Sequence, residues 1–327
     1  MNIIDFLIKN VQVNPTKTAI IDIHRSVTFE ELYEEVKIFS NSDLFLDEQN
    51  VISLVSENSI SFIIAYLGII NSGKIVHLIS PEISENNLSS QIKISNSKVI
   101  ICNSILKKNF LRLESINIPI FEFEEISSEN KNQKDISKIN EFAYLIYTSG
   151  TTSEPKGVSI SHSMIEFTTK NIIKVLGYSN QDIDLLPLPL HHSFGLGCFH
   201  TSLFIGSTLV LLKNASDLEL ILESIKKFKI TTLAAIPATL TKLSKLDKNL
   251  LIVSFSNLRL IITNSTSIPK NTVQNFNQIL KNGSLSTYYG LTEASRSTFM
   301  IFEKNKGREE SVGKIAPDVT IKIENKE

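Results

Sequence analysis

"YTSGTTSEPKGVSISH", residues 147–162, indicates the type of fold, since it combines a hydroxyl- and glycine-rich loop with the regular elements on either side. The run "EFAYLIY", residues 141–147, predicts a strand that leads into the loop. "SHSMIEFTTKNIIKVLG", residues 161–177, predicts a helix that leaves the loop and ends at Gly177. The loop therefore lies at the carboxyl end of a strand, which is the edge at which open α/β sheets bind ligands.

The same loop has the composition of an anion-binding site. Backbone N–H groups in a loop of this kind can converge on a concavity that favours anions, and side-chain hydroxyls add donors for phosphate oxygens. Lys156 would supply a point charge for a β- or γ-phosphate. The candidate phosphate contacts are Thr148, Ser149, Gly150, Thr151, Thr152 and Lys156.

Three other interpretations of the loop compete with this one. The P-loop of nucleotide triphosphatases requires Gly-Lys-Ser/Thr after a four-residue gap, whereas Gly150 is followed by "TTSEPKG". "SEPK", residues 153–156, fits the Ser-x-x-Lys pattern of penicillin-binding enzymes, but their Ser-Asp-Asn and Lys-Thr-Gly elements do not occur in the sequence. The third interpretation is a surface turn without function, which is the common role of Ser/Thr/Gly clusters.

The full word at residues 147–157 resembles the phosphate-binding signature of the adenylate-forming (AMP-binding) superfamily. This superfamily includes acyl-CoA synthetases, peptide-synthetase adenylation domains and beetle luciferases. Its pattern is Tyr-Thr-Ser-Gly-Thr-Thr-Gly-x-Pro-Lys-Gly, and the sequence departs from it at Ser153, where the family has glycine. Glycine allows a positive φ that serine resists, so either this position is unstrained here or the loop is impaired in binding ATP.

Four further stretches resemble the family in the expected order. They are "PLPLHHSFGLG" at 187–197, "TNSTSIPK" at 263–270, "YYGLTEAS" at 288–295 and "SVGKIAPDVTIKI" at 311–323. The resemblance implies an acyl-substrate site and an adenine site. The acyl-substrate contacts would be His192, Phe194 and Gly290, and the adenine contacts would be Asn264, Ser265, Thr266 and Tyr289.

The "YYGLTEAS" stretch has a chemistry that fits the implied roles. Tyr289 offers a flat face for a base, Thr292 a hydroxyl for the α-phosphate, and Glu293 a hard oxygen ligand for Mg²⁺. In isolation these residue types are more often a core tyrosine, a helix cap and a solvated glutamate. The catalytic residues that the resemblance implies are Lys156, Thr292 and His192.

Two of the matches are imperfect. Asn264 and Ser265 stand where the family's adenine strand end has two glycines, which predicts a less close approach of the backbone to the base. The pair formed by His191 and His192 also invites comparison with the His-His-x-x-x-Asp-Gly element of condensing acyltransferases, but Leu196 stands where the aspartate should be.

The resemblance implies activation of a carboxylic acid by ATP and Mg²⁺ to an acyl-adenylate, with release of pyrophosphate. No acidic residue occurs between 185 and 216, where amino-acid-activating members hold the substrate ammonium, so the expected acid is fatty, aryl or another non-amino acid. The final acceptor stays open between coenzyme A and the phosphopantetheine of an acyl carrier protein. The alternative is a non-catalytic adenylation-like domain that binds a nucleotide, an acyl ligand or a partner chain.

The expected fold is the α/β large N-terminal domain of the family, with two mostly parallel sheets and packed helices in an αβαβα order, plus a small β-rich subdomain. The expected lobes are residues 1–140 with 141–180 around the loop, and residues 181–327. The family's small C-terminal domain is expected to be absent, as in a fragment, one half of a split enzyme or a degenerate product. We therefore expect slow adenylation by the chain alone and a need for that domain as a partner.

The amino-acid composition limits the classes of partner that we expect for this chain. Lys plus Arg (33) and Asp plus Glu (34) nearly cancel, which predicts no nucleic-acid surface and no polybasic membrane anchor. The longest apolar run, residues 60–70, is about half of what a membrane span needs and predicts a buried helix. Two isolated cysteines and the lack of a signal peptide at the N-terminus indicate a cytoplasmic protein.

Overall fold

The computed structural model describes residues 1–45, 50–126, 139–148, 155–304 and 307–324. The helices are α1 (Ile3–Val13), α2 (Phe29–Ser40), α3 (Ile60–Asn71), α4 (Glu85–Ser95), α5 (Ser104–Phe110), α6 (His162–Leu176), α7 (Ser193–Ile205), α8 (Leu218–Phe228), α9 (Pro237–Leu243), α10 (Lys248–Ser254) and α11 (Lys270–Ile279). The strands are β1 (Thr18–Ile21), β2 (Ser26–Thr28), β3 (Val51–Val55), β4 (Ile75–Ile79), β5 (Ile100–Cys102), β6 (Ile120–Glu122), β7 (Phe142–Thr148), β8 (Lys156–Ser161), β9 (Ile183–Leu186), β10 (Thr208–Leu211), β11 (Thr232–Ala234), β12 (Leu260–Thr263), β13 (Ser284–Tyr289), β14 (Thr298–Ile301) and β15 (Lys314–Ile315).

The smaller of two sheets has six strands in the order β6-β5-β3-β4-β7-β8. Its strands pair in parallel except for β8, which runs antiparallel to β7 and forms one edge. The residues 141–147 thus form a strand as predicted, but the helix does not follow the loop directly. The chain first returns as β8, and the loop is the connection of a β-hairpin.

The larger sheet has nine strands in the order β15-β14-β13-β12-β11-β9-β10-β1-β2. The six neighbouring strands β13, β12, β11, β9, β10 and β1 pair in parallel. Antiparallel strands form both edges, β14 and β15 at one edge and β2 at the other. The first strand of the chain, β1, pairs with β10, so the lobe ranges expected from the sequence do not coincide with the two sheets. The β-rich end is the other edge of this sheet, and only Lys314–Ile315 of the 311–323 stretch forms a strand.

Five helix and sheet layers alternate. Helices α1, α2, α3, α6 and α7 share one hydrophobic core that lies between the two sheets. Helices α8 to α11 cover the other face of the larger sheet, and α4 and α5 cover the other face of the smaller one. Alternate strand residues enter different cores, as the twofold period of a strand requires. The predicted αβαβα order and the buried helix at residues 60–70 are confirmed.

Caps fix the ends of two of the helices that share the core between the two sheets. Thr28 accepts a hydrogen bond from the backbone N–H of Glu31, whose side chain accepts one in return, so α2 begins with a capping box. Gly177 has a φ of 67° and ends α6, as its position in the sequence predicts. No helix in the described ranges is long and apolar enough to cross a bilayer.

Three histidines are buried in the core: His77, His162 and His200. Burial lowers the pKa of His77 to about 4 and that of His162 to about 4, and it holds the pKa of His200 well below its usual value. Burial has the opposite effect on a carboxyl group and raises the pKa of Asp184 to about 6. At neutral pH the three imidazoles are therefore neutral.

The free energy of unfolding should fall as the pH drops from 7 to 5. In this window the unfolded chain takes up protons at histidines that stay neutral in the fold, at a cost of about 2 kcal/mol for His77 alone. Asp184 offsets about 1 kcal/mol because its carboxyl binds a proton in the folded state below a pH of about 6. Denaturant titrations at several pH values measure this slope. His77→Gln should flatten it and the exposed His24→Gln should not; equal slopes in both variants would contradict the assignment.

Candidate nucleotide and acid site

The hairpin of β7 and β8 holds the two described ends of the loop. Thr148 and Lys156 lie directly opposite each other as the last pair of this ladder, Thr148 half-buried and Lys156 exposed. The predicted phosphate contacts Ser149, Gly150, Thr151 and Thr152, and the departure at Ser153, lie outside the described residues. The hairpin thus presents its closed end at the carboxyl edge of β7.

A cavity of about 640 Å³, the central cavity, lies next to this hairpin. Four segments that are distant in sequence contribute walls to it: the end of β7, the start of α7, the end of β12 and the segment after β13. The predicted site residues among its lining are Thr148, His192, Phe194, Asn264, Ser265, Gly290, Thr292 and Glu293. Lys156 is not among the described residues that line it, although its strand partner Thr148 is.

A second cavity of about 630 Å³, the adjoining cavity, shares Asn264 and Ser265 with the central one. Thr266 and Tyr289 also line it, so the four predicted adenine contacts lie around one space. The side chain of Tyr289 is half exposed, and an aromatic ring is a suitable group for stacking against a planar ligand.

Ser265 has a φ of 88°, a left-handed value that favours glycine. The side chain of Asn264 accepts a hydrogen bond from the backbone N–H of Ser265 at 2.6 Å and supports this conformation. The backbone therefore takes a glycine-like turn despite the substitution. What differs from a glycine pair is the presence of two polar side chains at the junction of the two cavities.

The segment from Gly290 to Arg296 is a tight turn that carries Thr292 and Glu293 to the central cavity. Leu291 donates a backbone hydrogen bond to the carbonyl of Ala294 at 3.1 Å. A Cβ at Gly290 would lie 2.4 Å from the backbone nitrogen of Arg296. Only glycine allows this approach, so Gly290 has a backbone role in addition to the substrate contact expected for it.

His192 precedes α7, and its ring lies 4.4 Å from that of His191, measured between centroids. Burial, and after it the neighbouring His192, lowers the pKa of His191 to about 3, and desolvation lowers that of His192. Neutral imidazoles carry one donor and one acceptor nitrogen. Phe194 is buried and packs edge-on against Tyr288, with ring centroids 5.4 Å apart.

Glu293 is an exposed carboxylate in the central cavity. Within the described ranges no cluster of three or more His, Cys, Asp or Glu side chains could hold a metal ion by itself. Magnesium is commonly bound by one or two carboxylates together with substrate phosphates and water. A single glutamate in the lining of the central cavity fits this mode.

Arg296 directly follows the "YYGLTEAS" stretch, and no motif predicts a role for it. Its side chain is 5% exposed, although an arginine after a motif is ordinarily solvated. Its guanidinium carbon lies 4.9 Å from the centre of the Tyr288 ring. No sequence signal announces this burial, because it depends on the helix α7 that packs over the side chain.

The fold is α/β, and the sequence motifs lie at strand ends around the two cavities. The chain belongs to the AMP-binding enzyme family, whose model matches residues 7–327. It is 28% identical to the 4-coumarate--CoA ligase-like 6 of Arabidopsis thaliana over 84% of this chain and 52% of that protein. It is also 28% identical to the 2-succinylbenzoate--CoA ligase of Lactococcus lactis over 97% of this chain and 67% of that protein.

A solved structure supports the fold. The O-succinylbenzoate coenzyme A synthetase of Bacillus subtilis, in complex with ATP and magnesium ion, superposes with a TM-score of 0.86. The identity is 24%, over 98% of this chain and 66% of that chain. The large domain of adenylate-forming enzymes, expected from the motifs, is therefore confirmed as the fold. The chain spans about half the length of the first curated relatives, at 52% and 56%.

Proposed function

We propose that this chain binds ATP and a carboxylic acid and forms an acyl-adenylate with release of pyrophosphate. The observation that carries the proposal is the central cavity, where motif residues from four distant segments face one space. A carboxylate oxygen of the acid attacks the α-phosphorus of ATP and forms a new O–P bond. The bond to the bridging oxygen breaks, and pyrophosphate leaves with the electron pair.

The chain's own residues would act by position and charge. The Thr292 hydroxyl would donate to an oxygen of the α-phosphate. Lys156 and the hairpin end at Thr148 would neutralise and hold the β- and γ-phosphates, with Ser149, Gly150, Thr151 and Thr152 as further proposed donors. His192, neutral at pH 7, would donate one hydrogen bond to the acid without adding charge.

Glu293 would hold Mg²⁺, which neutralises phosphate charge when it is bound. On the adenine side, the polar groups of Asn264, Ser265 and Thr266 would contact the edge of the base. Tyr289 would stack on its face. This division assigns the central cavity to the phosphates and the acid, and the adjoining cavity to the nucleoside.

The proposed acid lacks an α-amino group. Glu293 is the only carboxylate among the described residues that line the central cavity, so a substrate ammonium would compete with the metal for it. The proposed acceptor is coenzyme A, as the names of the CoA-ligase relatives suggest, with a carrier-protein thiol as the alternative. A family-type C-terminal domain is the proposed partner for the complete reaction.

Acid-dependent ATP–pyrophosphate exchange tests the proposal. Exchange should appear over a panel of fatty, aryl and short-chain acids when a family-type C-terminal domain is supplied with the chain. Lys156→Ala should raise the KM for ATP at least tenfold because a phosphate charge loses its partner. The exposed Lys174→Ala on α6 is the matched control. Nucleotide binding without exchange for any acid would favour a non-catalytic binding domain instead.

A further inference from the structure

A side cavity of about 240 Å³ opens beside the proposed reaction centre. It shares Ser193, Thr292, Glu293 and Ser295 with the central cavity, so the two spaces meet at the turn after β13. Its remaining walls are largely apolar and include Ile160, Met164, Ile165, Phe167 and Val319. A largely apolar lining suits the body of a compact acid.

Arg296 lines this side cavity and is 95% buried, since its exposed fraction is 5%. Its Nη1 donates to the Ser295 hydroxyl at 2.5 Å and its Nη2 to the carbonyl of Ser193 at 3.3 Å. Its Nε is buried and has no acceptor. In the described part of the chain no carboxylate lies within ion-pair distance of this guanidinium, whereas Arg259 and Arg25 each have one.

The guanidinium of Arg296 packs against helix α7 at Gly197, which has no side chain. A Cβ at Gly197 would lie 1.9 Å from Nη2 of Arg296, so any other residue would push the side chain away. Burial lowers the pKa of His200, and the positive charge of Arg296 lowers it further. The cation is therefore held in place without a described counterion, and a buried charge without a counterion is costly.

From these contacts we propose that Arg296 binds a second, distal carboxylate of the acid, so that the substrate class is a dicarboxylic acid with an apolar body. The inference rests on the proposed function and names the substrate of the same site. The planar guanidinium still has its Nε–H to offer and suits a carboxylate better than a neutral group. The apolar walls accept the body between the two ends, and the same cation repels an acid that carries an ammonium.

Binding of matched acids tests this. Hexanedioic, octanedioic and decanedioic acids are titrated calorimetrically into the wild-type chain in the presence of Mg·ATP, each beside its monomethyl ester and the monoacid of equal length. At least one diacid should bind about tenfold more tightly than its two partners. Arg296→Gln should abolish or invert this preference, because the second carboxylate then enters an apolar space unpaired. Arg296→Lys should keep part of it.

The exposed Arg112→Gln on the opposite side of the smaller sheet is the matched control and should keep the full preference. If the wild-type chain binds every monoacid as tightly as its diacid, the inference fails while the proposed function stands. This comparison needs no variant and decides the matter even if Arg296→Gln does not fold. A preference retained in a folded Arg296→Gln would also overturn the inference, and binding of no acid at all would overturn the proposed function with it.

Discussion

Glu293→Gln should lower acid-dependent ATP–pyrophosphate exchange by at least about 100-fold, which corresponds to about 2.7 kcal/mol of transition-state stabilisation. Glutamine keeps the size of the side chain and one carbonyl oxygen but loses the negative charge that a hard divalent cation prefers. The loss should appear as a higher Mg²⁺ concentration at half-maximal exchange, at saturating ATP and acid. It is measured by Mg²⁺ titration of the exchange reaction with the C-terminal domain supplied.

The matched control is Glu223→Gln, an exposed glutamate on α8 that lines neither of the two large cavities. It should leave the Mg²⁺ titration unchanged. If Glu293→Gln kept the wild-type Mg²⁺ dependence, the metal would have to be bound elsewhere, and the metal-binding role proposed for Glu293 would be wrong.

The sequence predicted those helix features that depend on residues only a few positions apart. The terminating Gly177 and the apolar helix at residues 60–70 both depend on neighbours a few residues away. The position of β1 in the larger sheet does not depend on such near neighbours. Ile20 pairs with Leu209 of β10, and periodicity contains no information about a partner so far along the chain. Strand β8 was missed for a different reason: its partner β7 is close in sequence, but residues 156–160 are predicted as part of the loop.

Residues of the candidate site were likewise predicted where they lie in contiguous motifs, and missed where their burial depends on distant segments. Contiguous motifs identified most of the residues that line the central cavity, because β12 and β13 end at one edge of the larger sheet and the end of β7 in the smaller sheet faces the same cavity. Arg296 was missed because its burial depends on contacts with Gly197 of α7 and with the Tyr288 ring, and no pattern in the sequence predicts those contacts. Ser265 shows the converse: a position that favours glycine keeps its left-handed φ with serine, since Asn264 supports it.

Asp182→Ala should lower the free energy of unfolding by about 3–5 kcal/mol. The carboxylate is 2% exposed and accepts hydrogen bonds from Nε of Arg259 at 2.7 Å, from Thr231 Oγ1 at 2.8 Å and from the backbone of Ser179 at 2.8 Å. Because these partners precede β9, β11 and β12, the network fixes the start of three parallel strands of the larger sheet. Truncation leaves the guanidinium and the other donors without an acceptor.

Chemical denaturation measures this loss in the free energy of unfolding. The exposed ion pair of Arg25 and Glu35 serves as the comparison. Glu35→Ala removes a partner of Arg25 whose two hydrogen bonds are both 2.7 Å long, but the pair is solvated and should cost no more than about 1 kcal/mol. The double variant Asp182→Ala with Arg259→Met should recover part of the loss, because no unpaired cation remains. If the double variant were as unstable as the sum of both single variants, the two side chains would act independently and burial alone, rather than pairing, would explain the cost.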